Sequence, residues 1–244
     1  MRFQQSTVPA IILGLGVAIG GLLIGLGFAR GRSADRYVTV KGVAERNVDA
    51  DLAIWPLRVV SADNDLPTAH AKLQTSVQKI MQFLASQKVD TTDAALANFE
   101  VSDAYTNQYG GADRAPTRYV IRQTVVIRSN DPAKVLAASQ HVAELVNSGV
   151  VLSSGGEYGS GGPTFVFTGL NKLKPAMIGE ATARAREAAT QFAHDSKSSI
   201  GGIQRASQGV FEILPRDQAQ GITEESQVAK TVRVVSTIDY FLKD

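Results

Sequence analysis

Residues 8–29 run without a charge for about twenty positions, which at roughly 1.5 Å of rise per residue is long enough for a helix to cross the hydrocarbon of a bilayer. That stretch is expected to be a transmembrane helix, with residues 1–7 as a short N-terminal tail and 30–36 as a linker to everything that follows. Glycine punctuates it. On a helix advancing about 100° per residue, Gly16, Gly20 and Gly27 fall on one stripe and Gly14, Gly21 and Gly25 on another. Small-xxx-small spacing lets helix backbones approach closely in lipid, so these six residues are the candidate membrane-helix packing positions, with two neighbours per helix.

The chain as a whole is 44% hydrophobic, 20% charged and 7% aromatic, and the part beyond the linker is ordinary globular material with enough to bury one core. Net charge is +2 with the two signs interspersed, so no footprint for nucleic acid is present. Cysteine is absent, which excludes disulfides, thiol catalysis and cysteine-ligated metal centres, and suits an oxidising compartment. Flanking charge is ambiguous: Arg2 and the amino terminus stand on one side of 8–29, and Arg30, Arg32 and Arg36 on the other.

Beyond the linker, strand-like and helix-like runs alternate. Residues 37–45 and 52–60 read as two strands, the second carrying Pro56; a proline there removes a ladder donor, which marks Trp55 and Pro56 as an edge or bulge and a possible oligomer contact. Asp65 before Leu66 and Pro67 is a cap signal for a helix with Ala69, Leu73, Val77, Ile80 and Leu84 at helical spacing. A hairpin follows from 96–105 to 119–127, with its tip at 107–116, and the second arm alternates with a period of two, Tyr119, Ile121, Gln123, Val125 and Ile127 on one face. A second helix starts at Pro132 and stops at Gly149, and short strands at 150–152 and 164–167 flank the glycine-rich loop 155–162. A long alanine-rich helix over 174–196, with Ile178, Ala181, Ala185, Ala188, Ala189 and Phe192 expected inside on a mostly alanine face that packs close, a strand over 203–214 reached through Gly201-Gly202, which ends the connection, a polar loop over 215–225 and a closing strand over 228–241 complete the pattern. The expected fold is α+β: antiparallel sheet or sheets with three helices in the order ββαβ-βαβ-βαβ-β, including a ferredoxin-like βαββαβ portion over 52–152, preceded by the one transmembrane helix. Residues 37–244 form that α+β domain.

Catalytic signatures are weak. Ser76-Val77-Gln78-Lys79 fits a Ser-x-x-Lys pattern, but its Ser-Asp-Asn and Lys-Thr-Gly companions are missing. His70, His141 and His194 fall on different helical runs with no paired spacing, and Asp63-Asn64-Asp65 reads as turn and cap chemistry. The glycine-rich loop lacks a Gly-Lys-Ser/Thr end. No catalytic, cofactor-binding or metal-binding residue is assigned, and no cofactor is expected.

Val38-Thr39-Val40-Lys41-Gly42-Val43-Ala44-Glu45, then Asp49-Ala50-Asp51-Leu52-Ala53, resembles the opening of the SIMPL-domain family of bacterial periplasmic and outer-membrane proteins. The likeness continues through the strand at 119–127, the alanine-rich helix with Gly201-Gly202 behind it, and Val232-Arg233-Val234-Val235-Ser236-Thr237-Ile238-Asp239-Tyr240. Ala50 departs from the proline usual before Asp51.

The resemblance implies an exported α+β domain that assembles into rings, has no established catalytic residues and is linked to envelope and stress tolerance. Here it suggests a membrane-anchored member: a non-enzymatic, ring-like homo-oligomer in the inner membrane, single-pass, its C-terminal domain in the periplasm. Its expected partners are further copies of itself, the lipid bilayer through residues 8–29 and an envelope protein, but no nucleic acid. The alternative is a periplasmic binding or interaction module for a small apolar ligand or a partner protein, acting through the loops at 107–116, 155–162 and 215–225. A hydrolase using Ser76 and Lys79 is the remote third.

Overall fold

A computed structural model describes residues 7–33, 36–106, 116–153 and 162–243, with side chains in the first helix described over 11–27. The elements run α1 (Thr7–Ser33), β1 (Tyr37–Asp49), β2 (Leu52–Asp63), α2 (Leu66–Ser86), β3 (Ala95–Asp103), β4 (Tyr119–Ser129), α3 (Pro132–Gln140), α4 (Ala143–Asn147), β5 (Thr164–Val166), α5 (Leu170–Asp195), β6 (Ser199–Gln208), β7 (Glu212–Pro215) and β8 (Ala229–Lys243). The fold is α+β, with two four-stranded antiparallel sheets and five α-helices among the described residues. Several expectations are corrected by it.

The first concerns the membrane. A helix forms where one was expected, but among the described residues no helix is long and apolar enough to cross a membrane. The second correction is the helix count: among the described residues four helices follow α1, where three were expected. The run expected as one helix from Pro132 to Gly149 breaks at His141 and Val142 into α3 and α4.

The strand order is corrected too. The segment 150–152 makes only a single bridge, Val59 to Leu152, in place of a strand. Residues 203–214 form not one strand but two: β6 pairs with Ser236–Lys243 of β8, and β7 pairs with Lys230–Arg233. Gly209 makes the jog between them, its N–H donating to Val235 O at 2.8 Å, where an added Cβ would lie 2.6 Å from that oxygen. Gly201 and Gly202 lie inside β6 at a register shift between Ile200 and Ile203, a bulge and not the end of a connection.

The chain divides into two compact units. One comprises the chain up to Ala44, Ala176–Phe211 and the chain from Val234 onward. In it Val40, Gly42 and Ala44 of β1 alternate inward, as do Val234, Ser236, Ile238 and Tyr240 of β8. The buried stripe of α5 is Met177, Ala181, Ala185, Ala189 and Ala193, one residue per turn, while Phe192, expected inside, is 60% exposed. Val40, Ala185, Ala189, Ile238 and Tyr240 form the buried cluster. Side chains this small bring the helix backbone onto the strand: a Cβ on Gly42 would meet Ala181 O at 1.8 Å and Ala185 N at 2.5 Å.

The other unit, Glu45–Pro175 with Glu212–Arg233, holds the sheet ordered β3-β4-β2-β5. β2 and β4 pair over eleven registered positions, from Ala53 opposite Ser129 to Asp63 opposite Tyr119. Trp55, Leu57 and Val59 of β2 and Ile121, Val125 and Ile127 of β4 share the buried side with Leu73, Ile80 and Leu84 of α2. At the edge, β3 is interrupted between Ala97 and Glu100, where Asn98 takes a left-handed φ of 51°.

Candidate functional site

A concave surface built from described side chains lies in the second unit, a groove of about 540 Å³ between α2 and the outer edge of β2. Local sequence makes one wall of it. Asp65 caps α2, accepting from Thr68 N at 3.0 Å and Thr68 Oγ1 at 2.7 Å, with a proline in the first turn. Asp63 accepts from Asp65 N at 3.1 Å, so the Asp63-Asn64-Asp65 triplet is turn and cap chemistry. With Leu73, Ile80 and Leu84 held against the sheet, helical spacing turns Thr68, Lys72, Thr75, Ser76 and Lys79 toward the groove.

Gly149 builds the opposite rim. Its φ of 87° is left-handed, and Val150 N donates to Leu145 O at 3.0 Å while Gly149 N donates to Val146 O at 2.9 Å, a Schellman closure of α4. The chain then reaches β2, where Val60 N donates to Val151 O at 3.0 Å and Ser153 N to Arg58 O at 2.9 Å. Lys79 Nζ donates to Ser148 O at 2.6 Å, a cation on the last carbonyls of α4.

Polar chemistry in the groove is directional. Ser76 Oγ donates to Lys72 O at 3.0 Å, Thr75 Oγ1 to Ala71 O at 3.0 Å and Ser61 Oγ to Ala69 O at 2.8 Å, so each hydroxyl proton is engaged by a main-chain carbonyl. The lysines supply the remaining donors, with Lys72 Nζ 2.6 Å from Asp63 Oδ2. Ser76 and Lys79 thus share the groove, but Lys79 is a proton donor to Ser148 O and Ser76 is bonded to its own helix; activating the serine would require releasing both bonds.

The remaining candidates are dispersed. Trp55 is 1% exposed in the core, whereas Pro56 stands exposed beside it. β2 has neighbours on both sides, and Pro56 occupies the gap on its outer side between Ile54, paired with Thr164, and Arg58, bonded to Ser153, so its missing N–H leaves no ladder bond unmade. Gly14, Gly16, Gly20, Gly21, Gly25 and Gly27 on α1 each have nothing described within 4 Å of where a Cβ would stand. His70, His141 and His194 are exposed, and among the described residues no group of three His, Cys, Asp or Glu side chains could hold a metal. Residues 107–115 and 154–161, the cores of two candidate binding loops, lie outside the described residues. The third loop is tied down, Asp217 N donating to Gln227 Oε1 at 3.2 Å and Gln227 Nε2 to Asp217 O at 3.0 Å.

At the root of the β3–β4 hairpin, Arg118 is held from several sides. It bonds Asp103 through Nε and Nη2 at 3.3 and 3.1 Å, lies 4.9 and 4.7 Å from the ring centroids of Tyr105 and Tyr119, and donates its N–H to Asn64 Oδ1 at 2.9 Å. The hydrogen bond from Arg118, then that from Tyr105 N, holds the Asp103 carboxyl below its ordinary value; Lys72 does the same for Asp63 and Lys134 for Asp131. A depressed carboxyl stabilises the fold above its unfolded pKa, and the stabilisation is lost as pH falls through the folded one. Urea midpoints measured from neutral pH down to pH 3 are therefore expected to fall, and Asp103→Asn to flatten that fall; an unchanged slope would contradict the assignment.

These features define an α+β domain of two antiparallel sheets whose described residues contain a polar groove and no assembled metal or nucleophile–base constellation. The model of the SIMPL family, described as a protein of unknown function (DUF541), matches residues 38–237, and the chain belongs to that family. No curated protein matches it.

Proposed function

We propose that this protein is a non-enzymatic assembly module that associates with further copies of itself into a ring-like homo-oligomer. One observation carries the reading. The apolar side chains of α1 are open on all sides, from Leu26 at 46% to Leu13 and Ile24 at 73% exposure, and its six glycines leave notches with nothing in them. A helix that is apolar all round is ordinarily covered, and equivalent helices fitting glycine against backbone would cover it. The cysteine-free composition supports a periplasmic setting, and a role in envelope integrity or stress tolerance follows from the family resemblance.

Sedimentation of the full chain measures the assembly directly: an oligomer is expected, and a monomer at high concentration would overturn the reading. Gly20→Leu should weaken association more than Leu22→Ala, because it fills a notch where the latter only trims a ridge; equal effects would show that the glycines are incidental. Location is tested by fusing a phosphatase that is active only after export, with activity expected.

The groove beside α2 favours the second reading, an interaction module, because its enclosed volume lies in the range of ligand sites and two lysines supply donors there. Titration of an apolar fluorescent dye with Lys79→Ala as comparison tests it.

A further inference from the structure

We infer that the groove between α2 and the outer edge of β2 captures the carboxylate end of an extended peptide, which adds as a short strand to β2. The inference rests on the interaction-module reading of that groove and names its ligand class.

The β2 backbone supplies the first part. In an antiparallel pair, residues alternate between exchanging both ladder bonds and exchanging none. Val60, opposite Arg122 in β4, sends its N–H the other way, to Val151 O. Ala62, two residues on and opposite Val120, has the same phase, so its N–H and C=O also point away from β4. No described residue bonds either of them, because the chain opposite Ala62 is Gly149, where it turns off toward α4. The exposed Ala62 stands there at the wall of the groove. An unpaired edge beside a helix is the geometry in which extended peptides add as strands.

Direction and charge supply the second part. A peptide continuing the line of 149–153 runs antiparallel to β2 and ends near Gly149. Lys79 Nζ stands at that end, 3.9 Å from where a Gly149 Cβ would be, with two donors beyond the one engaged by Ser148 O. Lys72 lies two turns back along α2, beside the incoming chain. The hydroxyl oxygens of Ser76 and Thr75, with their protons engaged by the helix, face the peptide as acceptors. A terminal carboxylate at Lys79 and backbone N–H groups along β2 and α2 complement this arrangement.

The test uses the full chain and an array of short synthetic peptides, each presented once with a free C-terminus and once amidated. A subset is expected to bind only in the free form, with amidation, Lys79→Ala and Ala62→Pro each weakening binding roughly tenfold or more. Ala62→Pro removes the free donor without touching the β2–β4 ladder, and Pro56 shows that the same strand accepts proline at the same phase. Circular dichroism of both variants checks the fold, and the amidation arm uses the unaltered protein. Equal binding of amidated peptides, indifference to Ala62→Pro in a folded variant, or no binding by any peptide would each overturn the inference. Dye binding without peptide binding would overturn it while leaving the groove a ligand site.

Discussion

Gly42→Val is expected to destabilise the unit built on β1 and α5 by about 3 kcal/mol or more, at or beyond the upper end of ordinary overpacking effects. Overpacking is usually relieved by a side chain moving aside. Here the atoms in the way are backbone, Ala181 O at 1.8 Å and Ala185 N at 2.5 Å from the new Cβ, so relief requires the whole helix to lift. Lifting it would separate Ala185 and Ala189 from Val40, Ile238 and Tyr240, the cluster they complete. Gly179→Ala is the matched comparison: it lies in the same helix, nothing stands within 4 Å, and removing a helical glycine should stabilise by up to about 1 kcal/mol. Urea unfolding monitored by circular dichroism reads both. A Gly42→Val protein as stable as the parent would mean that α5 does not rest on β1 as described.

Lys230→Ala should have the other large effect, about 3 kcal/mol. Lys230 is fully buried, its ammonium bonded to the carboxylate of Glu224 and to Glu224 O at 2.6 Å. Removing one partner of a buried pair costs about 3–5 kcal/mol, and the 30% exposure of the Glu224 side chain, which hydrates the stranded carboxylate, places this one at the lower end. The pair itself is not the main source of stability. Replacing both members, Lys230→Met with Glu224→Gln, keeps the volume and removes the charges together, and should lie within about 1–2 kcal/mol of the parent. A double variant as unstable as Lys230→Ala would place the effect in the turn geometry of residues 224–226 instead of in the charge.

Much of the local structure was legible because it depends on neighbours in the chain. Asp65 before Leu66 and Pro67 announced α2, and the alternation of 119–127 announced β4. The alanines of α5 announced a close helix contact, though Phe192, placed inside by the same pattern, is exposed. Lys230 was missed, and yet the signal was present: it shares the parity of Val232, Val234, Ile238 and Tyr240 in β8, and a period of two puts it on their side. The α2 face at Thr68, Lys72, Thr75 and Lys79 was equally visible as a polar stripe. Its meaning was not, because the other wall comes from Ala62 and Gly149, distant in sequence.

The amino-acid sequence by itself determined where most helices and strands form, the caps that start them, the α+β class and the family, since propensity, periodicity and capping act over a few residues. Tertiary structure alone decided which strand lies beside which, how Pro56 falls into a gap between two partners, and that Gly42 must be bare to receive a helix backbone. It also decided that β2 leaves the backbone of Ala62 unbonded beside two lysines, which makes an amphipathic helix one side of a groove. Such properties depend on contacts between segments far apart in the chain, where packing and hydrogen bonding are settled only once the segments meet.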